Sequence, residues 1–181
     1  MRAKTVEAPG VATLFLTDER GRVPEFIPGQ YLNVYVPELH TPEGKAYSIS
    51  SAPGEPTFSI TVRAIGAFSN HLRSLSPGDV IAASLPYGFF YPEREDSNIV
   101  MLAAGIGIAP FRSMLRDVAS KNPRRKIFLF HSVRTSDEAV FKEELEDLST
   151  KLVNFTLAYF ITREKNPTLQ PATQRRMEAE D

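Results

Sequence analysis

Three stretches of this chain carry residue types that suit a charged, flat ligand. In Lys45-Ala46-Tyr47-Ser48-Ile49-Ser50-Ser51 a cation, an aromatic ring and several hydroxyls share one short run with strand texture. Alternation along a strand sends Lys45, Tyr47 and Ile49 to one face and Ala46, Ser48 and Ser50 to the other. Lys45 then offers charge to a phosphate, Tyr47 a stacking surface and Ser48 a hydrogen bond. A half-buried strand with a polar outer face accounts for the same residues. Gly66-Ala67-Phe68-Ser69 enters a short helix whose leading N–H groups can meet an anion, with Ser69 as the expected N-cap. Simple capping is the alternative there, and Arg63 just upstream adds a second cation. Finally, the apolar run Ile99–Ala104 drives into Gly105-Ile106-Gly107-Ile108-Ala109-Pro110. Glycines at such a join let the backbone turn tightly, and the helix beyond presents its positive end to a pyrophosphate. Pro110 suits the first helical turn, where its missing N–H costs little. Proline takes the place of the last glycine of the dinucleotide fingerprint, and a plain tight strand-to-helix connection reads the same way.

The elements that must position these residues come in two textures. Short β-type runs at Val11–Leu16, Tyr31–Val36, Ala46–Ser51, Thr57–Arg63 and Val80–Leu85 are separated by Pro and Gly punctuation such as Pro28-Gly29 and Pro77-Gly78-Asp79. They predict a small closed barrel or sandwich, interrupted by a helical turn or two over Ser69–Leu75. After a charged linker the pattern alternates: strand Asn98–Ala103, helix Pro110–Ser120, strand Lys126–His131, helix Asp137–Leu148 capped by Ser136, and strand Asn154–Ile161. That alternation implies a parallel sheet with crossover helices. The expected organisation is an antiparallel β-barrel over residues 1–95 and an α/β domain over 96–181, joined near Glu93–Ser97. Three strands make a thin parallel sheet, so the α/β domain reads as incomplete, with an open edge on its third strand. No repeat and no low-complexity segment is present.

Composition narrows the chemistry. A formal net charge of -1 over 181 residues gives no electrostatic case for nucleic acid or an anionic membrane. The chain has no cysteine, which excludes a disulfide, a catalytic thiol and a cysteine-ligated cluster within it. His40, His71 and His131 show no metal-ligand spacing and are expected at the surface or its boundary. No metal is expected. No apolar run approaches the roughly 20 residues of a membrane span, and Met1-Arg-Ala-Lys-Thr-Val6 lacks a signal-peptide core. The expected compartment is the cytoplasm.

Taken in order, Pro28-Gly29-Gln30-Tyr31, Lys45-Ala46-Tyr47-Ser48, Gly66-x-x-Ser69, Pro77-Gly78-Asp79, Gly88-x-Phe90 and Gly105-x-Gly107-Ile108-Ala109-Pro110 resemble the ferredoxin–NADP reductase superfamily. The resemblance covers essentially the whole chain, and the ordered set is far more specific than any one motif. It implies that the barrel binds FAD and the α/β domain binds NADPH or NADH. By the same resemblance Tyr47 and Ser48 are the catalytic pair, Tyr47 stacking on the isoalloxazine and Ser48 hydrogen-bonding near the flavin N5. Lys45 stands where the family usually has arginine, keeping the charge against the diphosphate but losing the bidentate fork. Ile49, next on that strand, is counted among the residues that would bind the cofactor. Gly66, Ala67, Phe68 and Ser69 would hold the diphosphate, and Val62 with Arg63 would lie toward the ribose or adenine. Gly105, Gly107 and Pro110 would face the nicotinamide nucleotide, and Ser132 and Arg134 its adenosine half.

Thr162-Arg163-Glu164 resembles a Ser-Arg-Glu element that holds the 2′-phosphate in plant-type members, which makes Arg163 the first candidate for that phosphate and favours NADPH. The aromatic residue the family carries before Gln174 is replaced here by Ala172 and Thr173, and a solvated surface charge accounts equally for Arg134, Arg163 and Arg176. The family continues for one or two more strands, with a Cys-Gly or Ser-Gly element beside the nicotinamide, whereas this chain stops at Asp181 and reads as shortened. Two functions follow. One is an FAD-dependent oxidoreductase passing hydride from NAD(P)H to flavin, and electrons on to a separate redox protein such as ferredoxin, a flavodoxin or an oxygenase component. The other is a flavin-binding electron-transfer or interaction module without NAD(P)H turnover. A homodimer through the open sheet edge is a further expectation.

Overall fold

The computed structural model of the protein describes residues 1–94, 97–169 and 171–178. It comprises two compact units, Met1–Tyr91 with Ala109–Asp117, and Pro92–Ile108 with Val118–Asp181. Residues 95 and 96, where the expected division falls, lie outside the described residues, as do 179–181 of the charged tail. Among the described residues no helix is long and apolar enough to cross a membrane.

The first unit holds strands β1 (Ala3–Ala8), β2 (Val11–Leu16), β3 (Tyr31–Tyr35), β4 (Lys45–Ser48), β5 (Phe58–Arg63) and β6 (Ala82–Ala83), with helix α1 (Ala67–Ser74) after β5. They form two antiparallel three-stranded sheets, ordered β1-β2-β5 and β4-β3-β6. A bridge between Ile49 and Ile60, and the Ser50 N–H donating to the Ser59 carbonyl at 2.8 Å, join the sheets into a barrel-like body. Its core packs Leu14, Leu32, Val34, Ile49, Ile60 and Val62 against Phe68 and Leu72 of α1. β5 is buried along nearly its whole length, so its polar residues must be paired inside. The hydroxyls of Thr13 and Thr61, Thr61 and Ser50, and Ser50 and Ser59 meet at 2.9–3.0 Å. β1 was not expected. Four of its six residues are exposed, so it carries no core-facing alternation and exists by pairing with β2. The strand expected over Val80–Leu85 shrinks to Ala82–Ala83.

The second unit is built on β7 (Ile99–Ala104), β8 (Ile127–Val133), β9 (Phe155–Ile161) and the two-residue β10 (Ala172–Thr173), a parallel sheet ordered β10-β9-β8-β7. Among the described residues the sheet therefore has four strands rather than three, because Ala172 and Thr173 pair with Tyr159 and Phe160. Gly105–Ile108 forms a 3₁₀ turn between β7 and helix α2 (Ala109–Lys121). The single helix expected over Asp137–Leu148 is broken into a 3₁₀ turn at Ser136–Glu138 and helix α3 at Lys142–Lys151. Ala139, Val140 and Phe141 are all at most 5% exposed. Consecutive residues on a helix point about 100° apart, so one helical stripe cannot bury three in a row. The chain opens between the two turns and buries them all, with Phe141 taking φ +62°.

Candidate functional site

In the first unit the strand face read from the sequence runs from solvent into the core. Lys45 is exposed, Tyr47 half-buried and Ile49 fully buried. The Tyr47 ring lies nearly parallel to that of Phe68, at 17° and 6.4 Å between centroids, and the Lys45 Nζ sits 5.4 Å from the Phe68 ring centroid. One buried aromatic of α1 thus aligns both the cation and the tyrosine with the start of the helix. Burial pushes the Tyr47 phenol above its ordinary pKa. The Ser48 hydroxyl is half-buried and makes no hydrogen bond among the described residues. Ile49 and Val62 are completely enclosed, so neither side chain is open to a ligand. Phe68, 3% exposed, likewise offers its N–H rather than its ring.

The helix entry corrects one expectation. The N-cap of α1 is Gly66, not Ser69, and Ser69 occupies the third helical position. Its hydroxyl accepts from the N–H groups of Ile65 and Gly66 at 2.9 and 3.2 Å and donates to the Gly66 carbonyl at 3.1 Å. That uses its full hydrogen-bonding capacity, so Ser69 shapes the turn while the leading N–H groups of α1 stay available. A Cβ added at Gly66 would meet no atom within 4 Å, which leaves open space over those groups. Arg63 stands half-buried at the end of β5.

Two further motifs form one clasp. Gly29 has φ +101°, and a Cβ there would lie 1.8 Å from the Phe90 carbonyl oxygen. Gly88 has φ +110°, and its Cβ would lie 2.8 Å from the Tyr31 ring. The Gln30 side chain accepts from the Ile27 N–H and donates to the Gly88 carbonyl, while Tyr31 and Tyr87 exchange backbone hydrogen bonds. The Ser50 carbonyl, just beyond β4, accepts from the buried Arg112 guanidinium at 3.1 Å. The sequence reading singled out these glycines but missed Arg112, whose position in an amphipathic helix gave no signal of burial.

In the second unit Gly105 adopts φ +49°, in the left-handed region. Its carbonyl is 3.0 Å from the Nε2 of His131 on β8. His131 is fully buried beside Tyr159, which corrects its expected surface position. The alternation of β8 explains this: Ile127, Leu129, His131 and Val133 all face inward. Burial, reinforced by the charge of Glu146, raises the Tyr159 phenol well above its ordinary pKa. α2, whose first residues Ala109–Asp117 are counted with the first unit, has no side-chain cap, and Pro110 stands in its first turn as expected. Gly107 has open space where a Cβ would go.

The loops that follow β8 and β9 lie side by side, the Arg163 N–H donating to the Arg134 carbonyl at 2.8 Å. Ser132 is half-buried, and Arg134 and Arg163 are exposed. Ser136 does not cap a helix. Its N–H and its hydroxyl both donate to Glu164 Oε2 at 2.6 Å, and the hydroxyl accepts from the Thr168 N–H at 3.0 Å. Glu164 therefore ties the two loops together, a role with no local signature in the sequence. Arg134 pairs with Glu138 through two contacts, Nε to Oε2 at 3.0 Å and Nη2 to Oε1 at 2.8 Å. That pair is visible in the sequence as an i,i+4 spacing.

Comparison with known proteins agrees with this division of chemistry. The oxidoreductase FAD-binding domain model matches residues 5–91, and the oxidoreductase NAD-binding domain model matches residues 101–178. A flavohemoprotein of Bordetella pertussis is 33% identical over 171 residues, which is 88% of this chain and 42% of that protein. The 2-halobenzoate 1,2-dioxygenase electron transfer component of Burkholderia cepacia is 36% identical over 137 residues, 73% of this chain and 40% of that one. The chain thus spans about two-fifths of the length of these relatives. Among solved structures, the flavohem-like FAD/NAD binding domain of a Vibrio cholerae nitric oxide dioxygenase superposes with a TM-score of 0.85 at 24% identity, covering 99% of this chain and 78% of that one. A ferredoxin NADP+ reductase from Neisseria gonorrhoeae with bound FAD and NADP gives 0.76 at 27% identity, covering 92% and 68%.

Proposed function

Because this chain belongs to the ferredoxin–NADP reductase superfamily of FAD- and NAD-binding oxidoreductases, we propose that it takes hydride from NAD(P)H onto FAD and delivers electrons to a separate redox protein. The observation that carries this reading is the placement of Lys45 and Tyr47 on one face of β4, aligned through Phe68 with the open, glycine-started entry of α1. These residues fit the group. Space over Gly66 and the free leading N–H groups suit a diphosphate, the Lys45 charge supports it, and the half-buried Tyr47 ring offers a face to a flat ring system. FAD, when bound, supplies the hydride-accepting and electron-releasing chemistry, so the protein's part is orientation and electrostatics. Tyr47 would hold the flat ring, Ser48 would offer a hydrogen bond to it, and Arg63 would serve the ribose or adenine.

In the second unit Gly105 and Gly107 shape the turn for the nicotinamide nucleotide, followed in the chain by Pro110. Ser132 and Arg134 take its adenosine half, and Arg163 takes a 2′-phosphate, which favours NADPH over NADH. The acceptor is of the ferredoxin, flavodoxin or oxygenase type, a choice supported by relatives that are themselves electron transfer components of dioxygenases. The edge of the third strand, expected to be open, is taken by β10, so a second copy of the chain would pair along β7, which ends the sheet on its other side. A monomeric mass in solution overturns that last part.

The test is the visible absorption spectrum of the purified protein, repeated after anaerobic NADPH. A flavin spectrum that bleaches is the expected result. Bound flavin that neither NADPH nor NADH reduces favours the electron-transfer or interaction module. Failure to take up added FAD overturns the flavin site altogether.

A further inference from the structure

The two arginines that face the proposed adenosine end differ in one respect. Among the described residues the Arg163 side chain is exposed and carries no ion pair, whereas the Arg134 guanidinium is held along one edge, through Nε and Nη2, by both oxygens of Glu138. Glu138 is itself well placed to keep its partner. Its side chain is only 20% exposed, against 52% for Arg134, and it sits in the 3₁₀ turn anchored by Ser136 on Glu164. The turn therefore fixes the carboxylate, and the long arginine comes to it. Asp137, exposed in the same turn, adds a second negative charge beside it.

We propose that Glu138 is a specificity-determining residue that tempers the preference for a 2′-phosphorylated nucleotide by occupying Arg134. The inference rests on the reading that the loops after β8 and β9 receive the adenosine half of NAD(P)H. A phosphate dianion arriving there meets Arg163 as an available donor. To recruit Arg134 it must compete with a carboxylate that already neutralises the guanidinium and holds its Nε/Nη2 edge with two charge-assisted hydrogen bonds. The same carboxylate repels the dianion directly. A nucleotide with a plain 2′-hydroxyl makes no such demand. Glu138 thus narrows the gap between NADPH and NADH without touching the reacting end of either.

The experiment is calorimetric binding of adenosine 2′,5′-bisphosphate and of 5′-AMP to the wild-type chain and to the variants E138Q, R134A, R163A and E138Q/R134A. E138Q is expected to tighten the bisphosphate roughly two- to fivefold, the range an exposed ion pair can withhold. It leaves 5′-AMP unchanged, and the gain shrinks at high salt. In the E138Q/R134A double variant most of the gain over R134A disappears, because the freed donor is gone and only the relief of direct repulsion remains. Bisphosphate affinity that is unaltered in E138Q, or a change shared equally by 5′-AMP, overturns the role of Glu138. R163A separates that result from the parent reading. A weakened bisphosphate in R163A keeps the 2′-phosphate reading while the gate fails. An indifferent R163A beside a tightened E138Q keeps the gate and removes Arg163 from the phosphate. No binding of either nucleotide to any variant overturns both.

Discussion

At Gly66 the backbone is extended, with φ −142°, and an added Cβ would meet nothing within 4 Å; at Gly105 φ is +49° and the carbonyl is held by a buried histidine. Both glycines start a turn that feeds a helix, yet they serve different needs. Any residue can adopt the backbone of Gly66, so its glycine matters for the room it leaves above the first N–H groups of α1. Gly105 is required by its backbone, because a left-handed φ is costly for a residue with a Cβ. The supports differ as well. The α1 entry is closed locally, by Ser69 bonding back to residues 65 and 66. The Gly105 turn is held from a neighbouring strand, 26 residues away in sequence. A local support forms with its own helix, while the distant one exists only once β7 and β8 have paired.

That contrast can be broken experimentally. His131→Ala removes the distant support and leaves a void beside Tyr159, so it should cost about 2–4 kcal/mol in unfolding free energy and weaken nucleotide binding with it. Chemical denaturation monitored with and without NADPH measures both. Unchanged stability would mean that the Gly105 carbonyl does not depend on the histidine. Gly105→Ala should cost about 1–2 kcal/mol, the strain of a left-handed alanine. The same denaturation experiment checks it, and a neutral result would place the residue outside the left-handed region. Gly66→Ala sharpens the comparison from the other side. Its stability should stay within about 0.5 kcal/mol of wild type, while FAD titration shows affinity reduced on the order of tenfold, because the methyl group enters the space left for the diphosphate. An FAD affinity that matches wild type would remove space as the reason for glycine there.

Much of the architecture was legible. Apolar alternation located β2, β3, β5, β7, β8 and β9 to within a residue or two, and the switch from β punctuation to strand–helix alternation separated antiparallel from parallel sheet. Lys45–Ser48 lies in a strand as expected, and Gly66 and Gly105 each stand at an expected turn ahead of a helix. What stayed hidden depended on partners far along the chain. β1 has a mostly exposed face and is a strand only because β2 is beside it. The break ahead of α3 follows from three consecutive apolar residues finding a core together. Glu164 reads as one more surface acid until Ser136 is brought to it.

The amino-acid sequence by itself determined what is local: which runs prefer extended or helical backbone, where glycine and proline punctuate them, and which residues could offer charge, a ring face or a hydroxyl. Only the tertiary structure decided the use of each. Gly29 and Gly88 close a clasp with Phe90 and Tyr31, His131 is buried against the Gly105 carbonyl, and Arg134 is committed to Glu138 while Arg163 is not. The reason is physical. Backbone preference and periodicity act over a few residues, whereas burial, steric exclusion and hydrogen-bond satisfaction are settled between segments that meet only when the sheets have formed.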